Sequence, residues 1–368
     1  MSKDSLENLV RDVGDNISGS TSIDEAAFNQ LALRIARFQA HNLLAYAKLA
    51  EFRGINVDSL EHWQDLPFCH TDAFKDYDMT VIPVEERIKR FVSSGTTAGV
   101  RGKHHHSKLT LELYEHSLDA PFEKHFLAPQ PRPLRVVSLT PEPTEVSDSS
   151  LVHMLQVGTV RNETEIIYHG RLDRHDRWGI DPENTCESIG HWADAGPIAL
   201  VGTAFLFAHL LTYMESHHRV MNLPHGSRIL ETGGYKGHAQ ILSKDQFYTK
   251  LAERFGIEES WIVGEYGMCE LSSQAYDRVA GSDQVRQFQF PPWVRTQIIS
   301  PDSGAPVNDG QEGILRIVDL ANIAAPCAIE TGDLAIQKGQ RFQLVGRVTT
   351  EPLKGCSLHS AFDVEFPT

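Results

Sequence analysis

The densest run of chemistry-bearing residues in this 368-residue chain is Ser93-Ser94-Gly95-Thr96-Thr97-Ala98-Gly99-Val100-Arg101-Gly102-Lys103. Small residues let backbone N–H groups turn inward and the hydroxyls add donors, and such a concave set suits a phosphate. A Walker-type loop requires Gly-x-x-x-x-Gly-Lys-Ser/Thr. Counting back from Gly102-Lys103 puts Thr97 where the first glycine belongs, and His104 stands where Ser/Thr is required. P-loop kinase or ATPase chemistry is therefore excluded. Taken alone, the run also reads as a solvent-exposed Gly/Ser turn.

Other reactive residue types are scattered. His104-His105-His106 follows the loop; without the i, i+4 spacing of a helical zinc pair it reads first as a solvated loop surface, with phosphate or metal binding the other reading. His153 follows Asp148-Ser149-Ser150 and reads as packed on a helix face or as lining a substrate pocket. The five cysteines, at 69, 186, 269, 327 and 356, contain no Cys-x-x-Cys pair. An odd, widely spaced set fits a reducing cytoplasm better than a disulfide framework or a zinc site. Cys356 lies between Gly355 and Ser357, next to Lys354, whose charge would favour a thiolate. It reads either as a nucleophile or as an inert buried thiol.

The elements that must position these groups are legible in outline. Apolar residues from Phe28 to Leu49 recur at helical spacing and Arg53-Gly54 ends the pattern, predicting a long helix or helix pair over 23–53. Residues 66–83 read as an irregular approach to the loop. The pattern predicts helices over 109–125, from the cap at Ser149-Ser150 to 157, over 184–195 and over 205–217, and strands over 134–139, 165–168, 198–202 and 228–231. The apolar stretch 205–213 reads as a core helix or as the wall of a substrate tunnel. This alternation argues for an α/β layer architecture. From Phe288 the character changes to short β-rich runs over 294–299, 313–318, 333–337 and 342–345, predicting a mostly antiparallel subdomain.

Bulk properties set limits. With 34 Lys plus Arg against 49 Asp plus Glu the net charge is −15, which argues against a general nucleic-acid or anionic-membrane binder. The start of the chain is polar, so no secretory signal is expected, and no run of about 18 apolar residues predicts a membrane span.

Ser94-Gly95-Thr96-Thr97 resembles the phosphate loop of the adenylate-forming superfamily, which includes acyl-CoA ligases, adenylation domains and firefly luciferase. The usual continuation is Gly-x-Pro-Lys; here it is Ala98-Gly99-Val100-Arg101, so Arg101 or Lys103 replaces the lysine. Three further motifs arrive in the superfamily's order. Glu231-Thr232-Gly233-Gly234-Tyr235 resembles the glycine turn beside the adenine. Glu265-Tyr266-Gly267-Met268-Cys269-Glu270 resembles Tyr-Gly-x-Thr-Glu, with cysteine in place of threonine. Thr331-Gly332-Asp333 resembles the ribose-binding element, and Gly346-Arg347 the start of the hinge motif. The strings over 231–237, 265–277, 291–295, 319–322 and 353–357 are similar to the LuxE acyl-protein synthetase family, over about residues 60–360.

What the resemblance implies is an ATP site and a two-step reaction. Ser93, Ser94, Gly95, Thr96 and Thr97 would hold phosphates, Gly233, Gly234, Tyr235, Tyr266 and Gly267 would surround the adenine, and Asp333 and Arg347 would meet the ribose. Glu270 would hold Mg2+, with Arg101 and Lys103 supplying positive charge. A carboxylic acid would be activated as acyl-AMP and passed to a thiol, which is Cys356, CoA or a carrier protein; family members deliver the acyl group to an acyl-CoA-reductase partner. Two alternatives stay open: a CoA ligase of a natural-product pathway in which Cys356 is not acylated, and a degenerate nucleotide- or acyl-AMP-binding module. The expected fold is the layered α/β large domain of an adenylate-forming enzyme without the usual full mobile C-terminal domain, whose lysine would be replaced by Arg101, Lys103, Lys236 or Arg347. The expected division is a helical part over 1–90, an α/β nucleotide- and acyl-binding core over 91–287, a β-rich subdomain over 288–345 and a tail over 346–368 carrying Cys356.

Overall fold

A computed structural model describes residues 4–19, 22–93, 100–128, 135–233 and 243–348. In chain order these form α1 (Leu6–Gly19), α2 (Glu25–Asn42), α3 (Leu44–Phe52), β1 (Cys69–His70), α4 (Ala73–Asp76), β2 (Lys89–Val92), β3 (Lys103–His106) and α5 (Lys108–Phe122). There follow β4 (Arg135–Ser138), α6 (Ser150–Arg161), β5 (Ile166–Tyr168), β6 (Gly170–Leu172), β7 (Trp178–Ile180), α7 (Pro182–Ala193), β8 (Ile198–Thr203), α8 (Ala204–Ser216) and β9 (Arg228–Thr232). The last are α9 (Lys244–Phe255), β10 (Ile262–Tyr266), β11 (Ala275–Tyr276), β12 (Val294–Ile299), β13 (Glu312–Asp319), β14 (Ala328–Lys338) and β15 (Arg341–Arg347).

The chain packs into two compact units. The first takes Met1–Ser117, Met268–Ser273 and Phe290–Thr368; the second takes Leu118–Gly267 and Gln274–Gln289.

In the first unit, β12, β13, β14 and β15 form antiparallel neighbours, and β1 adds to β14 in parallel. Their buried residues alternate with half-exposed ones along β14, the period-two pattern of a sheet with one packed face. The predicted helical stretch over 23–53 is a pair: Asp24 caps α2 by accepting from the Ala27 amide, Leu43 is extended, and α3 ends at Arg53. Gly54 follows at φ +66°, a conformation that suits glycine. Helix α1, which the sequence reading leaves unassigned, buries Leu9, Val10, Val13 and Ile17.

The second unit is an α/β layer. Its sheet runs β11-β10-β9-β8-β4-β5, with every pair parallel except the edge strand β11. Strand β8 buries five of its six residues, as strands of parallel sheets covered on both faces do. Residues of β4, β8, β9 and β10 share one core with Ile189 of α7, Leu206, Phe207 and Leu210 of α8, and Phe247 and Leu251 of α9. The 205–213 stretch is therefore a core helix. Side-chain caps start these helices: Ser149 accepts from Val152 N–H, Asp181 precedes Pro182, Thr203 accepts from Leu206 N–H, and Ser243 with Gln246 forms a capping box. Chain order reverses between β4 and β8, and in open α/β sheets ligands bind beyond the carboxyl ends of the strands. Gly233 follows β9 and Gly267 follows β10, both at that edge.

Candidate active site

The base of the phosphate-loop candidate is a hairpin. β2 and β3 pair antiparallel with Val92 opposite Lys103. Ser93 closes it: its N–H donates to the Gly102 carbonyl at 2.9 Å, its Oγ accepts from the Gly102 N–H at 2.8 Å, and its carbonyl accepts from Arg101 Nε at 2.9 Å. Ser94, Gly95, Thr96 and Thr97, at the loop's tip, lie outside the described residues.

The histidine run is a strand, not a solvated loop. His104 and His106 are each 2% exposed, whereas Lys103 is exposed, so alternation along β3 puts Lys103 and His104 on opposite faces. His104 Nδ1 meets the Cys269 carbonyl at 2.7 Å, and burial pushes its imidazole down to about 4. The neutral ring is then the resting form, which suits donation from Nδ1 to that carbonyl. Among the described residues no group of three or more His, Cys, Asp or Glu side chains is placed to hold a metal ion.

Through His104 the hairpin grips the turn that carries Glu270. The Glu270 carboxyl is 5% exposed, and burial raises its proton affinity. A Cβ on Gly102 would lie 2.8 Å from Glu270 Oε1, so the absence of a side chain there makes room for the carboxylate. A buried polar network fixes the turn from behind. Asn322 Nδ2 donates to the Glu270 carbonyl at 3.0 Å and to the Pro326 carbonyl at 2.8 Å. Asp319 accepts from Ser272 N–H at 2.9 Å and from Ser273 Oγ at 2.8 Å, and Trp293 Nε1 donates to Ser273 Oγ at 3.0 Å. Gln39 donates to the carbonyls of Asn322 and Ile323, each at 2.9 Å, and accepts from Cys327 N–H at 3.0 Å. Burial pushes Asp319 up to about 6, despite these donors.

Asp333 and Arg347 are register partners on β14 and β15, and Arg347 Nε donates to Asp333 Oδ1 at 2.7 Å. Asp333 is buried while the arginine is largely exposed. Thr331 Oγ1 accepts from Asp333 N–H at 3.1 Å and donates to the Leu315 carbonyl at 2.9 Å. The Thr-Gly-Asp element is thus tied to β13 through Thr331 and to β15 through the Asp333–Arg347 pair.

In the second unit, Gly233 leaves β9 at φ +77°, so only glycine fits the turn without strain; Gly234 and Tyr235 lie outside the described residues. Tyr266 ends β10, buried, with its ring 5.9 Å from that of Phe288. Beneath these residues sit two carboxylates whose importance the sequence reading missed. Glu265 accepts a short hydrogen bond from the Thr232 hydroxyl, and burial pushes it up to about 7. A Cβ on Gly267 would meet Glu265 Oε1 at 2.5 Å. Glu231 accepts from Tyr248 Oη at 2.5 Å and pairs with Lys244 at 3.5 Å; burial raises its proton affinity. Asp277 accepts from Gly264 N–H and pairs with Arg286, each at 2.7 Å. Glutamates inside strands whose five residues are all buried are the signal: such carboxylates need partners.

Four cysteines, 69, 186, 269 and 327, are buried thiols, and burial pushes Cys69 and Cys327 up to about 12, so neither is a resting nucleophile. Cys356 lies outside the described residues. No helix among the described residues is long and apolar enough to cross a membrane.

The donor set fits a magnesium ion shared with phosphates. Mg2+ binds through one or two carboxylates plus substrate oxygens rather than in an all-protein cage, and Glu270 offers one buried carboxylate beside a side-chain-free glycine.

The chain is similar to known proteins in sequence and in fold. A sequence model of "Acyl-protein synthetase, LuxE" matches residues 7–363. A long-chain-fatty-acid–luciferin-component ligase of Vibrio harveyi is 24% identical over 371 residues, covering 94% of each chain. A protein of the same name from Aliivibrio fischeri is 23% identical over 317 residues, covering 83% of this chain and 80% of that one. Among solved structures, 2-hydroxyisobutyryl-CoA ligase in the postadenylation state with 2-HIB-AMP aligns with a TM-score of 0.67 at 14% identity, over 88% of this chain and 68% of that one. Its open conformation with 2-HIB-AMP and CoA gives 0.65, over 90% and 73%. The fold is that of adenylate-forming ligases.

Proposed function

We propose, from the premise that this chain belongs to the LuxE acyl-protein synthetase family, how its residues carry out an ATP-dependent, AMP-forming ligation of a carboxylic acid to a thiol. The acid's carboxylate attacks the α-phosphate of ATP; the bond to the leaving pyrophosphate breaks and an acyl-AMP anhydride forms. A thiolate then attacks the acyl carbonyl, a thioester forms, and AMP leaves with the bonding electrons. The relatives are named for long-chain fatty acids, and we take a fatty acid as the substrate and Cys356 as the acceptor, with an acyl-CoA-reductase-type protein receiving the acyl group.

Each described residue has a part in the first step. The Ser93–Gly102 closure supports backbone donors for the phosphates. Asp333, beside Arg347, would accept from ribose hydroxyls. Tyr266 and Gly267, at the carboxyl end of β10, face the base. Glu270 would hold Mg2+, which neutralises phosphate charge when bound.

The observation that carries this reading is the buried Glu270 carboxylate set against side-chain-free Gly102 at the base of a phosphate loop. The test is intact-protein mass spectrometry after incubation with Mg·ATP and fatty acids of graded length, with and without CoA. A mass increase of one acyl group, lost in Cys356→Ser, is expected. Formation of acyl-CoA with no protein adduct would replace Cys356 by CoA as the acceptor.

A further inference from the structure

Two buried carboxyls stand near the carboxyl edge of the second unit's sheet, and they are answered unequally. Glu231 and Thr232 are neighbours in β9, so their side chains leave the sheet on opposite faces. Register pairs Glu231 with Gly264 and Thr232 with Glu265, which puts Glu265 on the face of Thr232. Glu231 is accounted for by packing. Tyr248 Oη donates to it at 2.5 Å and Lys244 Nζ lies at 3.5 Å. The space beside Gly264 is filled by Asp277 Oδ2 and Tyr248 Oη, each 2.9 Å from where a Cβ would begin.

Glu265 differs. It is 6% exposed, and among the described residues it has the Thr232 hydroxyl as donor and no cation. A buried carboxyl without a cation is costly to keep. Its two oxygens reach the ends of two strands. Oε2 accepts from Thr232, the last residue of β9, after which Gly233 turns at φ +77°. Oε1 occupies the space that a side chain at Gly267 would need, 2.5 Å from the position of that Cβ. Gly267 itself follows Tyr266, the last residue of β10. Burial pushes the carboxyl up to about 7, so near neutral pH the neutral acid is well populated, a form that an amide imitates.

We propose that Glu265 is a positioning residue for the adenine of the nucleotide, its carboxyl bridging Thr232 and Gly267 so that the glycine turns after β9 and β10 are fixed before ATP arrives. This rests on the adenylation reading above. A preorganised binding surface avoids the cost of ordering on binding, and loosening it weakens contacts to the part of the ligand it faces. Loss of the bridge therefore tells on ligands that carry adenine and spares those that lack it, whereas general damage to the fold affects both.

The experiment is acid-dependent exchange of pyrophosphate into ATP by the full-length wild-type protein and by Glu265→Ala, Glu265→Gln, Thr232→Val and the double variant Thr232→Val with Glu265→Ala. KM is measured separately for ATP, pyrophosphate and the acid. Glu265→Ala and Thr232→Val are each expected to raise the KM for ATP about tenfold, the scale of one hydrogen bond, with kcat and the other two KM values little changed. Glu265→Gln keeps an acceptor for the Thr232 hydroxyl and should recover most of the loss. The double variant should be no weaker than Glu265→Ala, because both substitutions remove one interaction. Thr232→Val keeps the shape of the side chain and decides even where Glu265→Ala does not fold. A wild-type KM for ATP in Thr232→Val, or a rise shared equally by ATP, pyrophosphate and acid, would overturn the proposal. Absence of exchange in the wild-type protein with any acid would overturn the adenylation reading instead. Calorimetric titration with AMP then decides Glu265 alone: weaker binding to Thr232→Val supports the proposal, and equal affinity, or no binding to the wild type, overturns it.

Discussion

Replacing Gly102 by alanine adds one methyl group where the closure of the β2–β3 hairpin meets the Glu270 carboxylate. The new Cβ would lie 2.8 Å from Glu270 Oε1, 3.2 Å from Ser93 Oγ and 3.4 Å from Phe74 Cβ. Ordinary contact needs about 3.4 Å or more, so the carboxylate must retreat by about half an ångström. The Glu270 backbone is held by Asn322 and Ser93 Oγ is committed to the Gly102 N–H, so the retreat falls on the Glu270 side chain and moves its carboxylate away from the hairpin. Gly102 does not have positive φ, so alanine's backbone preference is satisfied and the contact alone is tested. Overpacking of this kind costs about 1–3 kcal/mol, and a displacement approaching 1 Å costs about 100-fold in rate. We therefore expect Gly102→Ala to fold, to lose about 1–3 kcal/mol in urea denaturation, and to show pyrophosphate exchange reduced about 10- to 100-fold. Gly190→Ala is the control: it lies within α7 with nothing within 4 Å of its would-be Cβ, and should gain about 0.5–1 kcal/mol with exchange unchanged. Full exchange in Gly102→Ala would refute the placement of Glu270 against the loop base as a determinant of activity.

Further expectations follow from the same geometry. Glu270→Gln and Asp333→Ala should each abolish most exchange while the far-ultraviolet circular dichroism stays native; full exchange in both would remove their assigned roles. Asn322→Ala leaves the buried carbonyls of Glu270 and Pro326 without this donor, and should cost about 1–3 kcal/mol in denaturant titration. Glu265 titrates in the folded protein near 7 rather than at its ordinary 4.5, so the native state keeps a proton that the unfolded chain has lost. Its contribution to stability is then fully present below the ordinary value and is lost as pH rises through about 7, by at most about 3 kcal/mol. Glu265→Gln should flatten the stability slope between pH 5 and 8; an unchanged slope would show that Glu265 is ionised throughout.

What was legible in the sequence was local. The runs over 198–202 and 294–299 read as strands because a fully buried strand is continuously apolar and a packed antiparallel one is bounded by turns. Ser149 and Arg53-Gly54 marked helix ends because caps are made by neighbouring residues. The histidines were misread for the same reason in reverse. His104-His105-His106 carries no apolar alternation, and its strand character comes from pairing with Lys89–Val92 across the loop. Helix α1 was missed although Leu6, Leu9, Val10, Val13 and Ile17 carry helical spacing. Among the site residues, those in short motifs were visible, and the string over 319–322 was one of them; that Asn322 holds the Glu270 carbonyl and Asp319 the Ser272 and Ser273 beside it is a long-range pairing that no local pattern records.

The long-range partners explain how an exposed chemistry can rest on a buried group. Glu270 sits in a turn of six residues, Met268–Ser273, that belongs to the first unit although the chain on either side belongs to the second. A segment that short has no hydrophobic core of its own; it is anchored by burial of Cys269 and Leu271 and by hydrogen bonds. Asp319 supplies the acceptors, Asn322 the donor, and Gln39 fixes the Asn322 backbone in turn. Charge is what makes the lock effective, since an ionised Asp319 accepts from Ser272, Ser273 and Ala321 at once and an asparagine cannot. Asp319→Asn would place an amide N–H against one of those three donors. It should therefore reduce exchange together with stability. If Asp319→Asn left exchange intact despite a measured loss of stability, the network would be a stability device and Glu270 would be positioned by His104 and Gly102 without it.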